Sequence, residues 1–408
     1  MLDFFAILIS ISAIFGFINH KWLKLPTTIG VMLISVILGI SLKLIEQFSP
    51  EQVSPLRNFL TGFDFSAFVL DFILCFLLFA GALHVNITEL KGAKATVISY
   101  ATIGVLISTL IIGFGTYIIL NWFGIHSTLI PCLLFGALIS PTDPIAVIGI
   151  LSKYTIPKKL KTEIIGESLF NDGVGVVVFA VIYSILTGGP QALSFSNIFQ
   201  IFTIEVVGGL AVGWAIGYLG YFLMKSIDHY QTEILVTLAV VTGGYAIASR
   251  FHASGPLAMV VAGLIIGNKG KAHAMSDVTA EYVDKFWELI DEICNTILFV
   301  LMGLEIFLLP YGITYVLVGC VLIILSLTAR YISLLPAFFI FNKKEQNKSL
   351  SLSVLTWGGL RGGISIALAL SLANKVENSN VFIVCTYCIV LFSILVQGLT
   401  IKKLLAKF

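Results

Sequence analysis

Long apolar runs recur along the whole chain and are separated by short polar segments. An α-helix needs about 20 apolar residues to cross the hydrocarbon core of a bilayer. Because the runs have this length, the pattern predicts an all-α polytopic membrane protein with about thirteen transmembrane helices. The predicted spans are residues 2–20, 27–45, 66–86, 95–120, 128–151, 163–187, 196–224, 231–249, 255–268, 286–308, 311–340, 349–373 and 381–401.

The segments between these spans are short. None is long enough to fold as a soluble domain, so we expect residues 1–408 to form a single membrane unit without a soluble regulatory domain. Lysine and arginine residues are concentrated in alternate loops, with 17 on one side and four on the other. Because cytoplasmic loops carry the excess of positive charge, we expect the N-terminus outside and the C-terminus in the cytoplasm.

The fifth and twelfth predicted spans are interrupted. Span 5 contains SPTDPIAV, in which Pro141 and Pro144 stand on either side of Asp143. Proline has no N–H and clashes with the carbonyl four residues before it, so carbonyl oxygens are left free beside Thr142. Span 12 contains WGGLRGG, whose helix-breaking residues are Gly358, Gly359, Gly362 and Gly363.

These interruptions stand at matching positions of two halves. An odd number of spans gives spans 1–6 and spans 8–13 opposite orientations in the membrane, which is the plan of an inverted repeat. Each half has its interruption in its fifth helix. Paired broken helices of this kind point to the substrate site of secondary transporters, so we expect two inverted six-helix repeats whose broken helices cross.

Polar side chains cluster in span 6, within the run GESLFNDGVGVVVF. Ser168 and Asp172 are four residues apart and share a helix face, as do Glu167 and Asn171. At about 1.5 Å per residue, Asp172 lies roughly 14 Å into its span and Arg361 roughly 18 Å into span 12, near the middle of a core about 30 Å thick. Ionisable residues at this depth are costly and indicate a functional site.

One arginine cannot neutralise all the carboxylates at this depth. An ion pair of Glu167 with Arg361 leaves Asp143 and Asp172 to be compensated by a cation or a proton. Carboxylates, a serine hydroxyl and free carbonyls are hard oxygen ligands, which suit an alkali cation. An aspartate that binds either a proton or a metal ion couples the two fluxes by competition.

Composition agrees with a protein whose main solvent is lipid. The chain is 58% hydrophobic and 11% charged, with a mean hydropathy of +1.02. The net charge of +2 says little about partners, and we expect membrane lipid but no nucleic acid among them. The cysteines lie in apolar segments and the histidines show no metal-ligand spacing, so we expect no cofactor.

Two further charged positions stand out in the apolar spans. Asp291 and Glu292 lie near the predicted cytoplasmic end of span 10, where their negative charge would attract cations. Arg330 lies well inside span 11, and the sequence indicates no partner for it.

The motifs in spans 5, 6 and 12 resemble those of the monovalent cation:proton antiporter superfamily, specifically the bacterial NhaP-like members of its sodium/proton exchanger branch. The resemblance covers nearly the whole chain. It rests on T-D-P at residues 142–144, on E-S-x-x-N-D at residues 167–172, and on G-G-L-R-G-G around Arg361. Residues 286–306 also resemble the tenth helix of that family.

This resemblance implies a secondary antiporter, and not an enzyme, that exchanges Na⁺ for H⁺ and also accepts Li⁺. It implies that Asp172 carries the exchanged ion or proton. Asp143, Ser168 and the backbone of Thr142 would complete the Na⁺ site.

The neighbouring residues would support that site. The resemblance implies that Asn171 holds the broken helices in place, and that Glu167 and Arg361 form an ion pair tying span 6 to span 12. Members with asparagine directly before the key aspartate are typically electroneutral, exchanging one cation for one proton.

The resemblance also implies a homodimer in a prokaryotic cell membrane that works by an elevator-like motion. The moving core would comprise residues of about 95–187 and 311–408. The dimerisation scaffold would comprise residues of about 1–86 and 196–308.

The chain departs from the family pattern in span 3. Several family members place an acidic residue where this chain has Ala80, which makes K⁺/H⁺ exchange the alternative within the same class. A cation channel usually shows repeated filters or rings, and one asymmetric charged site fits alternating access better. An intramembrane aspartyl protease could use Asp143 and Asp172 as its dyad, but such enzymes show Y-D and G-x-G-D motifs, and NDGVGV has neither order.

Overall fold

The computed structural model describes residues 2–143, 156–188, 194–310, 312–341 and 347–407. All regular elements in these ranges are helices, which confirms the all-α class. Those of the first half are α1 Leu2–Ile18, α2 Thr27–Phe48, α3 Pro50–Thr61, α4 Phe65–Leu83, α5 Ile87–Trp122, α6 Leu129–Ile139 and α7 Lys158–Gly188. Those of the second half are α8 Ser196–Lys225, α9 Tyr230–Arg250, α10 Gly255–Ile265, α11 Asp277–Glu305, α12 Ile313–Phe341, α13 Lys348–Trp357, α14 Gly363–Ser371 and α15 Ser379–Leu405.

The chain is a multi-pass membrane protein. Within the described ranges, nine helices are long and apolar enough to cross a membrane. Helix α11 is 29 residues long, and its first turns, which carry Asp277, Glu281, Asp284 and Lys285, precede the predicted start of span 10 at residue 286. The number of crossings, the inverted repeat and the orientation of the termini stay predictions.

Helix α3 is an element that the apolar pattern did not predict. Its 12 residues are too few to cross a bilayer, and its sequence PEQVSPLRNFLT is largely polar. Val53 and Leu60 are buried on one face, while Arg57 forms an ion pair with Glu46 near the end of α2. The helix is therefore amphipathic and packs beside α2, a pattern that a search for long apolar runs does not detect.

Both predicted helix breaks are present in the described residues. Helix α6 ends at Ile139, and residues 141–143 are not helical; Pro144 lies outside the described residues. Helix α13 ends at Trp357 and α14 begins at Gly363, with a non-helical segment between them. The two breaks meet, because the backbone N–H of Asp143 donates a hydrogen bond of 2.7 Å to the carbonyl oxygen of Leu360.

Helix α7 packs against the first break. It contacts α5, α6 and α10 along its length. Gly175 faces Pro141 so closely that a Cβ atom at residue 175 would overlap the proline ring. The missing side chain lets the backbone of α7 approach the end of α6, which brings the polar residues of α7 level with the break.

Candidate functional site

Thr142 and Asn171 join the first break to α7. The Thr142 N–H donates to Asn171 Oδ1 at 3.2 Å, and Asn171 Nδ2 donates to Thr142 Oγ1 at 2.8 Å. Thr142 is 1% exposed and Asn171 is fully buried. Two reciprocal hydrogen bonds in a buried setting fix the non-helical backbone of the break against α7.

Ser168 adds a second hydroxyl to this junction. Its Oγ lies 3.0 Å from Thr142 Oγ1, and Ser168 is 3% exposed. The hydroxyl is one turn away from Asp172 on the same face of α7, as the spacing predicts. The structure therefore brings Thr142, Ser168 and Asn171 together at one point.

The carboxylates of Asp143 and Asp172 line the same cavity. The cavity has a volume of about 830 Å³ and is also lined by residues of α4, α5, α7, α11 and α14. Asp172 is 6% exposed, and among the described residues its carboxylate has no hydrogen bond or ion pair. Asp143 is half-buried. The two carboxylates therefore border one shared space.

Glycines of the second break make room for this arrangement. A Cβ atom on Gly362 would overlap the carboxylate of Asp143. A Cβ atom on Gly359 would come within 2.6 Å of Arg330 Nε, and one on Gly363 would reach Leu298 of α11. Gly358 stands at the C-terminal end of α13, where its N–H donates to Val354 O at 2.7 Å.

The expected ion pair of Glu167 with Arg361 is wrong. Glu167 is paired with Arg330 of α12, in a bidentate arrangement whose second bond joins Arg330 Nη2 to Glu167 Oε2 at 2.8 Å. Arg361 instead donates from Nη1 to the carbonyl oxygen of Pro141 at 3.1 Å, and its backbone N–H donates to Ser393 Oγ at 2.8 Å. Arg361 therefore caps a carbonyl that the first break leaves free.

This correction changes the charge at the site. The described charged residues of the two breaks and of the facing parts of α7 and α12 are Glu167, Asp143, Asp172, Arg330 and Arg361. With every group ionised, three carboxylates and two guanidinium groups leave one negative charge, where the sequence alone indicated two. The sequence marked Arg330 as a candidate functional residue through its depth in an apolar span. It could not identify the partner of Arg330, because that depends on which face of α12 meets α7.

A histidine lies at the entrance of the cavity, just beyond the end of α4. His84 Nδ1 is 3.7 Å from Asp284 Oδ1, and Lys271 Nζ is 2.5 Å from the same oxygen. Burial, together with the positive charge of Lys271, lowers the pKa of His84 below its ordinary value of 6.5. The entrance therefore carries a histidine that is neutral at neutral pH.

The site offers hard oxygen ligands rather than a transition-metal centre. Among the described residues, no group of three or more His, Cys, Asp or Glu side chains could hold a metal ion. Ala80 is fully buried in α4, and the neighbouring Leu77, Leu78 and Gly81 line the cavity. The available ligands are carboxylate, hydroxyl and carbonyl oxygens, which suit alkali cations and protons.

Comparisons with known proteins agree on one family. Residues 7–407 match the family model described as "Sodium/hydrogen exchanger, transmembrane". The chain is 45% identical over 412 residues to the Na(+)/H(+) antiporter NhaP of Pseudomonas aeruginosa, covering 100% of this chain and 97% of that protein. It is 33% identical over 394 residues to the Na(+)/H(+) antiporter NhaH of Halobacillus dabanensis, covering 95% of this chain and 93% of that protein.

A solved structure shares the fold. The sodium proton antiporter of Methanocaldococcus jannaschii, solved at pH 8, superposes with a TM-score of 0.75 at 21% sequence identity. The match covers 100% of this chain and 98% of that chain. The architecture described above is therefore one that is known from experiment.

Proposed function

Because the chain belongs to the sodium/hydrogen exchanger family, we propose that it is a secondary antiporter that exchanges Na⁺ for H⁺ across a prokaryotic cell membrane. Members of this family are transporters, so the chain is not an enzyme. The relatives from Pseudomonas aeruginosa and Halobacillus dabanensis are both named as Na(+)/H(+) antiporters and are matched over nearly their whole length.

The single observation that carries the proposal is that Asp143 and Asp172 line one cavity beside a hydroxyl pair. We assign the cation site to Asp172, Asp143, Ser168 and Thr142, with Asp172 as the residue that binds either Na⁺ or a proton. Their carboxylate and hydroxyl oxygens can replace the water oxygens around a sodium ion. Asn171 supports the site by holding Thr142 in place.

The charge of the site supports one-for-one exchange. The one uncompensated negative charge counted among Glu167, Asp143, Asp172, Arg330 and Arg361 is neutralised by one monovalent cation or by one proton. The site then has the same net charge in both loaded states, so one cycle moves no net charge across the membrane. Asn171 contributes no charge beside Asp172, in agreement with an electroneutral cycle.

The position of the cavity supports an elevator-like cycle. Its walls come from α4 and α11 of the proposed scaffold and from α7, α14 and the first break, which belong to the proposed core. An ion that enters between the two parts reaches Asp172, and a displacement of the core against the scaffold would carry it across. A homodimer would keep the two scaffolds fixed in the bilayer while each core moves.

The test is pH-gradient dissipation in proteoliposomes. Na⁺, Li⁺ and K⁺ are added in turn, and the Na⁺ and Li⁺ arms are repeated with the membrane voltage clamped by a potassium ionophore. We expect Na⁺ and Li⁺ to dissipate the gradient at a rate that the clamp does not change. A response to K⁺ alone would replace Na⁺/H⁺ by K⁺/H⁺ exchange, and cation flux without counter-flow of protons would indicate a channel.

A further inference from the structure

Helix α11 forms a charged wall of the same cavity. Glu288, Asp291 and Glu292 line it, and Leu298 lines it further along the helix. Glu288 and Glu292 are exposed, whereas Asp291 is half-buried. Asp291 lines the cavity from α11, and Asp143 lines the same cavity from the first break. Asp291 is thus the least exposed of the three acidic residues of α11 that line the cavity.

Asn295 lies one turn beyond Asp291 on the same helix. It is four residues from Asp291 and three from Leu298, so helical spacing places it on the same side of α11 as these two cavity-lining residues, one layer beneath the cavity surface. It is 1% exposed, and its Nδ2 donates to the backbone carbonyl of Asp291 at 2.8 Å. Its Oδ1 is buried and has no hydrogen-bond partner among the described residues. A buried amide oxygen left without a partner is costly, which makes it a candidate ligand.

We propose that Asp291 and Asn295 form a transient cation site on α11, which receives the monovalent cation before it reaches Asp143 and Asp172. This inference rests on the proposed function and adds a second site to it. The carboxylate of Asp291 supplies the charge, and the Oδ1 of Asn295 supplies a partly desolvated oxygen. Both are hard ligands of the kind that alkali cations take.

Such a site differs from a general attraction by the negative charges at the cavity mouth. The exposed carboxylates of Glu288 and Glu292 act through a field that dissolved salt screens. Asp291 and Asn295 would hold the ion itself, at short range and partly shielded from solvent. Their loss would reduce capture of Na⁺, while the step at Asp172 that sets the maximal rate would remain.

The first test measures binding and does not need transport. Purified Asp172→Asn protein, which lacks the proposed exchange carboxylate, is titrated with NaCl while the ²³Na NMR linewidth is recorded. We expect residual broadening that is lost when Asp291→Asn is added. The control is Glu281→Gln in the same background, because Glu281 is exposed and paired with Lys285 elsewhere on α11; it should leave the broadening unchanged. Equal broadening with and without Asp291→Asn would overturn the proposal, whatever the wild type transports.

The second test separates capture from turnover in proteoliposomes. We expect Asp291→Asn to raise KM for Na⁺ about tenfold and to leave the maximal rate within about twofold of wild type. Asn295→Leu should also raise KM for Na⁺. Asp291→Glu, which keeps the carboxylate, should have a KM close to that of the wild type. Added choline chloride should not reproduce the effect in the wild type.

Two results would contradict the site. An equal rise in KM for Glu288→Gln would show a general field effect instead. A lower maximal rate at unchanged KM would show that Asp291 is only structural. Absence of Na⁺-driven exchange by the wild type would contradict the proposed function instead, and the binding test would then decide the α11 site by itself.

Discussion

Arg330 and Glu167 form a buried, bidentate ion pair that joins α12 to α7 beside the candidate ion site. Arg330 is 7% exposed and Glu167 is 1% exposed. Arg330 Nη2 also donates to the carbonyl oxygen of Leu355 near the end of α13, at 3.1 Å. One guanidinium group therefore connects three helices, while Arg361 is left to bond the backbone of the first break.

We expect Arg330→Ala to destabilise the protein more than any other single arginine replacement. Removing one partner of a buried ion pair leaves an uncompensated charge and costs about 3–5 kcal/mol. The measurement is the thermal unfolding midpoint of purified protein in detergent, with Arg250→Ala, which replaces an exposed arginine, as the control. A midpoint equal to that of the wild type would contradict the pairing with Glu167.

Asp172→Asn should abolish cation-driven proton flux while the protein stays folded. The amide keeps the size of the side chain but can neither bind a proton nor neutralise a sodium ion at physiological pH. Flux is measured in proteoliposomes and folding by size-exclusion chromatography and the unfolding midpoint. Asp277→Asn, at an exposed position in the first turn of α11, is the matched control and should retain wild-type flux. Near-normal exchange by Asp172→Asn would show that Asp172 is not the residue that binds the exchanged ion or proton.

Gly362→Ala should impair exchange through geometry alone. The added methyl group would overlap the carboxylate of Asp143, so either that side chain or the second break must shift. We expect the maximal rate to fall by about 10²-fold, as is found for displacements of about 1 Å at reacting groups. Gly243→Ala, whose Cβ meets nothing within 4 Å, is the control. Comparable flux from both variants would show that Asp143 needs no fixed position.

We expect His84 to affect the KM for Na⁺ only in acid solution. Because the pKa of His84 is lowered from 6.5, the side chain stays neutral at pH 6.5 and gains its positive charge only in more acid solution. We expect His84→Gln to match the wild-type KM for Na⁺ above about pH 7, and to have a lower KM than the wild type only where acid has protonated His84. The check is KM measured from acid to alkaline pH. A difference that appears only above pH 7 would contradict the neutral histidine.

The helix breaks and the polar residues of α7 could be predicted from the sequence because their causes are local. Pro141 cannot continue a helix, and the glycines from Gly358 to Gly363 favour an interruption wherever they stand. The spacing of Ser168 and Asp172 fixes their shared face once a helix is assumed. The joining of these segments at Thr142 was expected from the family resemblance, and the hydrogen bonds now give its geometry.

The partner of Glu167 could not be predicted, because it depends on how helices rotate about their axes. Arg330 and Arg361 both lie deep in apolar spans, and depth alone does not decide between them. Packing turns Arg330 towards α7, where it also contacts the second break close to Gly359. Asn295 gave no signal for the same reason, since its neighbours on other helices determine whether its amide oxygen finds a donor.

Two hydrogen bonds join the two helix breaks. The Asp143 N–H donates to Leu360 O, and the Arg361 side chain donates to Pro141 O, so each break supplies a partner for a backbone group of the other. The N–H of Asp143 and the carbonyl oxygens of Pro141 and Leu360 are thus paired without help from an ion. The ligand cage is preorganised, and little chain entropy is lost when a cation arrives. The affinity for each ion then follows mainly from the exchange of its hydration shell for protein oxygens. Selectivity between cations is therefore set by the difference between their dehydration free energies.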